Sequence, residues 1–107
     1  MKKILILNGH PDPGASTAGK AVLDAFVKLR PDAQVRMLSA LCGKEGYDVA
    51  GEQAALVGAD VVVWHFPFYW YSVPALMKKW IDDVLTRGFA YGSGGTALCG
   101  KHLLISF

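Results

Sequence analysis

Two short segments carry the residue types that could do chemistry. The first is Asn8-Gly9-His10-Pro11-Asp12-Pro13-Gly14-Ala15-Ser16-Thr17-Ala18-Gly19-Lys20, which joins an apolar run to an amphipathic one. A strand-to-helix turn of this kind offers free backbone N–H groups and the positive end of a helix, and the two together bind phosphate. Ser16 and Thr17 add hydroxyl donors. His10 has the chemistry of a base or a metal ligand. No second ligand stands at metal spacing, so it reads as a hydrogen-bonding group for a phosphate or ribose, and no metal site is expected. The second segment is His65-Phe66-Pro67-Phe68-Tyr69-Trp70-Tyr71-Ser72-Val73-Pro74. Four aromatic residues in a row between two prolines suit a flat, apolar ligand. The competing account is a cluster of core aromatics under a loop.

Residues 14–20 also fit most of a nucleotide-binding P-loop, with Gly14, Gly19 and Lys20 correctly spaced. The next residue is Ala21, where that pattern needs Ser or Thr for magnesium. A phosphate loop of another kind is therefore favoured, with a plain polar turn next and a nucleotide-binding P-loop protein as the weakest alternative. Ser16 lacks the surroundings of a nucleophile elbow. His65 and His102 read as structural. Cys42 and Cys99 have no metal spacing and read as buried, free thiols in a reducing compartment.

The elements that must position these loops alternate. Residues 3–7 and 60–66 are apolar runs that read as buried strands, with a shorter strand at 33–38 and a fourth beginning at 101. A first helix places Ala18, Ala21, Val22, Ala25, Phe26 and Leu29 on one face, opposite Lys20, Asp24 and Lys28. Asp48 is placed to cap a second helix with Glu52 in its first turn. Pro74 opens a third, which buries Leu76, Met77, Trp80, Ile81, Val84 and Leu85 and is closed by Gly88. Such alternation implies a doubly wound parallel sheet in the order 2-1-3-4, with the first and third loops side by side at one end. Strand four carries Leu103, Leu104, Ile105 and Phe107 and calls for burial on both faces. A fifth strand and further helix usually follow, so the single domain, residues 1–107, is expected to be incomplete at its C-terminus.

Composition narrows the function classes. Apolar residues make up 52% and charged residues 19%, which excludes a disordered chain. A net charge of +2 with scattered basic residues gives no footprint for nucleic acid. The apolar stretch near the start, residues 4–7, is too short for a signal peptide or membrane span.

Taken together, Gly9-His10-Pro11 with Ser16, Ala50-Gly51-Glu52-Gln53, the block from Asp60 through Trp64, Pro67, Trp70 and Pro74 to Asp82, Phe89-Ala90-Tyr91-Gly92 and Gly94-Gly95-Thr96-Ala97-Leu98 resemble the flavodoxin-like NAD(P)H:quinone oxidoreductases. The likeness is greatest to the bacterial branch with modulators of drug activity and ancillary flavoproteins of potassium efflux. It covers essentially the whole chain. The resemblance implies a cytoplasmic flavoenzyme that takes hydride from NAD(P)H onto FMN, with FAD as the alternative, and passes it to a quinone or similar small aromatic acceptor. It implies a homodimer, and as the alternative to the enzyme role a regulatory flavoprotein subunit docked on a potassium-efflux transporter. The flavin phosphate then falls to Ser16, Thr17 and the backbone of Ala18, with His10 beside them. The flavin ring falls to Pro67, Phe68, Tyr69, Trp70 and Tyr71. Tyr91 matches a substrate-pocket tyrosine and is the candidate catalytic residue. Gly19 stands where many relatives carry Asn, and the family's next flavin-wrapping loop would follow Phe107.

Overall fold

The computed structural model describes residues 2–15 and 17–107. The two apolar runs, having no polar side to offer water, form neighbouring central strands. These are β1 (Ile4–Asn8) and β3 (Val61–His65). Strand β2 (Gln34–Met37) lies beside β1, and β4 (His102–Ser106) lies beside β3. All pairs are parallel, with Leu5 opposite Val62, Ile6 opposite Val35 and Val63, and Val62 opposite Leu103. The order β2-β1-β3-β4 is the one expected. Among the described residues, four α-helices connect and cover the strands: α1 (Thr17–Leu29), α2 (Leu38–Leu41), α3 (Val49–Val57) and α4 (Ala75–Val84). The short α2 has no clear signal in the sequence. Leu38, expected as the last residue of β2, instead turns inward and is fully buried.

Alternation along the strands divides the residues between two faces. Leu5, Leu7, Val62 and Phe66 join Leu38, Tyr47, Leu56, Met77, Trp80 and Val84 in one hydrophobic core, beneath α2, α3 and α4. The third expected helix, α4, buries Met77, Trp80 and Val84 fully and Leu76, Ile81 and Leu85 partly, much as its spacing requires. Its outer face carries Lys78–Asp82 and Lys79–Asp83 pairs at 2.6 and 2.7 Å. Asp48 caps α3 by accepting from the Gly51 N–H at 3.3 Å. Tyr47 donates its hydroxyl to the Leu76 carbonyl at 2.9 Å, and burial pushes its phenol well above the usual range.

Three expectations are corrected. Helix α1 buries no residue fully, and its inner face is turned by about one residue from the expected one. Gly19, Leu23, Phe26 and Val27 are half-buried, whereas Val22 and Leu29 are exposed. Covering Leu23 and Val27 removes more apolar area from water than covering Ala18, Ala21 and Ala25. Strand β4 is not buried on both faces. Leu103, Leu104 and Ile105 are each about half exposed, since β3 is its one strand neighbour among the described residues. The thiols are not buried either: Cys42 is half-exposed and Cys99 exposed.

The most demanding feature of the core is a charge. Glu52, expected only as a helix-dipole partner, is 2% exposed. Its carboxylate accepts from Arg36 Nε at 2.9 Å, from Arg36 Nη2, and from Trp80 Nε1 at 3.0 Å. This ties β2, α3 and α4 together at one point. Removing one partner strands a buried charge. Arg36→Met should therefore cost about 3–5 kcal/mol of stability. Trp80→Phe, which leaves the ion pair but removes a neutral donor, should cost about 1–3 kcal/mol from the lost bond, with some cavity cost besides. Chemical denaturation of both variants checks this. A loss of about 1 kcal/mol or less for Arg36→Met would place the pair among solvent-screened surface bridges.

Candidate functional site

Because β1 and β3 are neighbours running in the same direction, the loops that leave their carboxyl ends lie side by side. The Gly9 N–H donates to the His65 carbonyl at 2.8 Å and joins the two loops directly. A cavity of about 630 Å³ opens there, between the strand ends and α1. Asn8, His10 and Gly14 border it from the first loop, Ala18 and Gly19 from α1, and Pro67 from the third loop. Phe107 and Ser106 close it from the end of β4. Three of the expected site residues, His10, Ala18 and Pro67, thus meet at one cavity. Thr17 opens α1 and is exposed without bordering it. Ser16 lies outside the described residues.

The first loop is held by a residue that the sequence reading passed over. Asn8 ends β1, is buried, and accepts the His10 N–H on its Oδ1 at 3.1 Å. His10 Nδ1 in turn accepts the Asp12 N–H at 2.9 Å. In the neutral ring the proton is then on Nε2, which is left as a donor. A polar residue ending an otherwise apolar strand was the available signal. Gly9 is required by space: a Cβ there would sit 2.7 Å from Met77 Sδ, so β1 and α4 approach this closely only at glycine.

The Lys20 of the P-loop pattern faces a different partner. It borders the cavity, but its exposed ammonium lies 4.0 Å from Asp24 one turn along α1, and Gly14 sits in a 3₁₀ turn, Pro13–Ala15. His65 has the structural role expected of it, and it also lines the cavity. Its Nδ1 is 3.1 Å from Ser106 Oγ and its Nε2 3.0 Å from the Gly19 carbonyl. His102 is exposed. Among the described residues no group of three or more His, Cys, Asp or Glu could hold a metal ion.

The aromatic segment separates into two parts. Phe66 belongs to the core, while Phe68, Tyr69, Trp70 and Tyr71 project from it. Tyr69 and Ser72 exchange backbone hydrogen bonds at 3.0 and 2.9 Å, closing a two-residue turn. Trp70 and Tyr71 occupy its centre at φ 49° and 64°, a left-handed pair that normally selects Asn-Gly. Each costs about 1–2 kcal/mol in that conformation. Trp70 is 90% and Tyr71 85% exposed, so packing in the described structure does not repay the strain. Strain of this kind, in exposed aromatic rings, is characteristic of binding sites. Phe68 leans on Phe107 at 5.3 Å and connects the turn to the cavity wall.

Tyr91 does not border the cavity. It is exposed in a separate turn, where its carbonyl accepts from the Gly88 N–H at 2.7 Å. Gly95 packs so closely on the Tyr91 backbone that any Cβ would collide with its carbonyl. The backbone of the turn is thus tightly packed, and the Tyr91 side chain is exposed. The strain at Trp70 generates a direct test. Trp70→Gly should raise thermal stability by about 0.5–1 kcal/mol, the left-handed penalty less the entropy cost of glycine. A destabilised variant would show that packing holds the indole.

Comparison with known proteins agrees with this geometry. A family model described as the flavodoxin-like fold matches residues 2–107. The glutathione-regulated potassium-efflux system ancillary protein KefF of Salmonella newport is 50% identical over 101 residues, 94% of this chain and 57% of that protein. The general stress protein 14 of Treponema denticola, solved in complex with FMN, is 41% identical with a TM-score of 0.88, over 96% of this chain and 59% of its own. An NADPH-quinone reductase of P. pentosaceus is 32% identical with a TM-score of 0.76, over 98% of this chain and 58% of its own. The chain thus spans somewhat over half the length of the relatives it matches. With its parallel order β2-β1-β3-β4 and its cavity at the strand ends, the chain belongs to the flavodoxin-like fold family.

Proposed function

We propose that this chain is the flavin-binding part of an NAD(P)H:quinone oxidoreductase. The observation that carries the reading is the cavity at the carboxyl ends of β1, β3 and β4, with a helix N-terminus on one side and the strained aromatic turn beyond the other. Its volume of about 630 Å³ falls within the roughly 300–1,000 Å³ of small-molecule sites. The first turn of α1 supplies N–H groups without intrahelical partners, which suits a phosphate. His10 Nε2 adds a side-chain donor beside it. Pro67, Phe66 and Phe107 give apolar walls, and Phe68, Trp70 and Tyr71 give flat faces for an isoalloxazine ring. These residues fit FMN. The FMN in the Treponema denticola relative supports it over FAD.

When bound, the flavin supplies hydride acceptance from NAD(P)H and hydride delivery to a quinone or similar small aromatic acceptor. The protein's own share is to hold, orient and shield. The backbone N–H groups of Thr17 and Ala18, at the start of α1, anchor the phosphate end. The Tyr69–Ser72 turn, its backbone closed by two hydrogen bonds, presents its aromatic rings outward. In this reading the exposed Tyr91 serves an acceptor pocket that a second copy completes in a homodimer. A cytoplasmic setting supplies NAD(P)H and keeps Cys42 and Cys99 reduced.

The 50% identity to a potassium-efflux ancillary protein favours a second reading, a flavoprotein that docks on a membrane transporter. FMN titration of the purified chain, followed by NAD(P)H oxidation with a soluble quinone, tests the first. FMN should bind and turnover should depend on it. Trp70→Ala should weaken FMN binding by about 1–3 kcal/mol, by analogy with base–aromatic stacking. FMN-loaded protein that leaves NAD(P)H and quinone unchanged would sink the enzyme reading in favour of the docking one. Absence of FMN binding would sink both.

A further inference from the structure

We infer that His65 is a positioning residue for the phosphate-binding turn of α1; the inference rests on the flavin reading above. His65 closes β3, the central strand next to β1, and is 9% exposed. The ring spans three elements. Nε2 lies 3.0 Å from the Gly19 carbonyl in the first turn of α1, and Nδ1 lies 3.1 Å from Ser106 Oγ at the end of β4. A carbonyl oxygen can only accept, so Nε2 carries the proton and donates. In the neutral ring Nδ1 then accepts the Ser106 hydroxyl. Both nitrogens are satisfied with no charge to bury.

This matters because α1 is otherwise loosely held. None of its residues is fully buried, and the cavity lies between it and the strand ends. Apolar packing is therefore weak at the end where phosphate would sit. The Gly19 carbonyl has two lone pairs, so it can take the imidazole N–H as well as its helical bond. That contact fixes the rotation and height of the first turn, and so the direction of the Thr17 and Ala18 N–H groups. Pre-set donors bind an anion without a further ordering cost. Gly19 allows the approach, and Ser106 keeps the ring from rotating away.

The test compares FMN with riboflavin, which lacks the phosphate, in wild type, His65→Leu, His65→Gln and Ser106→Ala. Each is titrated by fluorescence, and apo-protein stability is measured alongside. His65→Leu should raise the FMN Kd about tenfold and leave the riboflavin Kd within about twofold. His65→Gln, whose amide keeps one donor and one acceptor, should recover most of that loss. Ser106→Ala should give roughly a threefold loss for FMN alone. If His65→Leu does not fold, Ser106→Ala and His65→Gln carry the same comparison. Equal weakening of FMN and riboflavin, or unchanged FMN binding in Ser106→Ala and His65→Leu, would overturn the positioning role while leaving the flavin reading intact. A wild type that binds neither ligand would overturn both.

Discussion

A carboxylate taken almost wholly out of water must be paired, and in this protein that requirement organises one side of the sheet. Glu52 sits on α3 with its charge answered by Arg36 from β2 and by the indole N–H of Trp80 from α4. The three elements come from distant parts of the chain and meet at one buried group. Leaving any of them out of place would leave an ion in a low-dielectric core, which is far costlier than a lost apolar contact. The apolar cluster of Leu5, Leu7, Val62, Met77 and Val84 supplies the bulk of the burial. The ionic contact makes the arrangement selective, because it is satisfied in one geometry.

Everything at the functional end depends on that arrangement. With α4 locked by Trp80, Met77 comes close enough to Gly9 to admit only a glycine there. Gln53 adds a second tie by donating to the Val84 carbonyl at 2.9 Å and to Thr86 Oγ1 at 3.3 Å, at the carboxyl end of α4. The segment between β3 and α4, which holds the aromatic turn, is tied at one end by the Gly9 N–H on the His65 carbonyl and at the other by the Tyr47 hydroxyl on the Leu76 carbonyl. A left-handed Trp-Tyr pair is sustained because its neighbours over-determine it.

The opposite face of the sheet is built differently. Here α1 rests on half-buried Leu23, Phe26 and Val27 and leaves a cavity at its amino end. Polar ties replace apolar packing: Asn8 to His10, His10 to Asp12, and His65 to Gly19 and Ser106. A rigid core on one face and a hydrogen-bonded, open pocket on the other give a scaffold that keeps its shape while leaving room for a ligand.

Much of this was legible in the residues themselves. Apolar runs without alternation require strands buried on both faces, and short connections then dictate parallel pairing and the order 2-1-3-4. Asp48, Pro74 and the Lys78–Asp82 and Lys79–Asp83 spacing act within a single turn of helix, so local sequence suffices to read them. Both ligand loops were also visible, since glycine, hydroxyl and aromatic clusters stand out from the elements around them. Tertiary structure alone decided the rest. Glu52 read only as a helix-dipole partner; Arg36 and Trp80, sixteen residues before it and twenty-eight after it, are brought to it by the fold. The face that α1 turns inward is the one with Leu23 and Val27, and it brings the Gly19 carbonyl to a histidine forty-six residues further on. The left-handed Trp70 and Tyr71 contradict local preference and exist because both ends of their segment are anchored elsewhere. Local propensity and periodicity reach about one turn of chain. Buried charge, helix rotation and backbone strain are settled by partners that only folding brings within hydrogen-bonding distance.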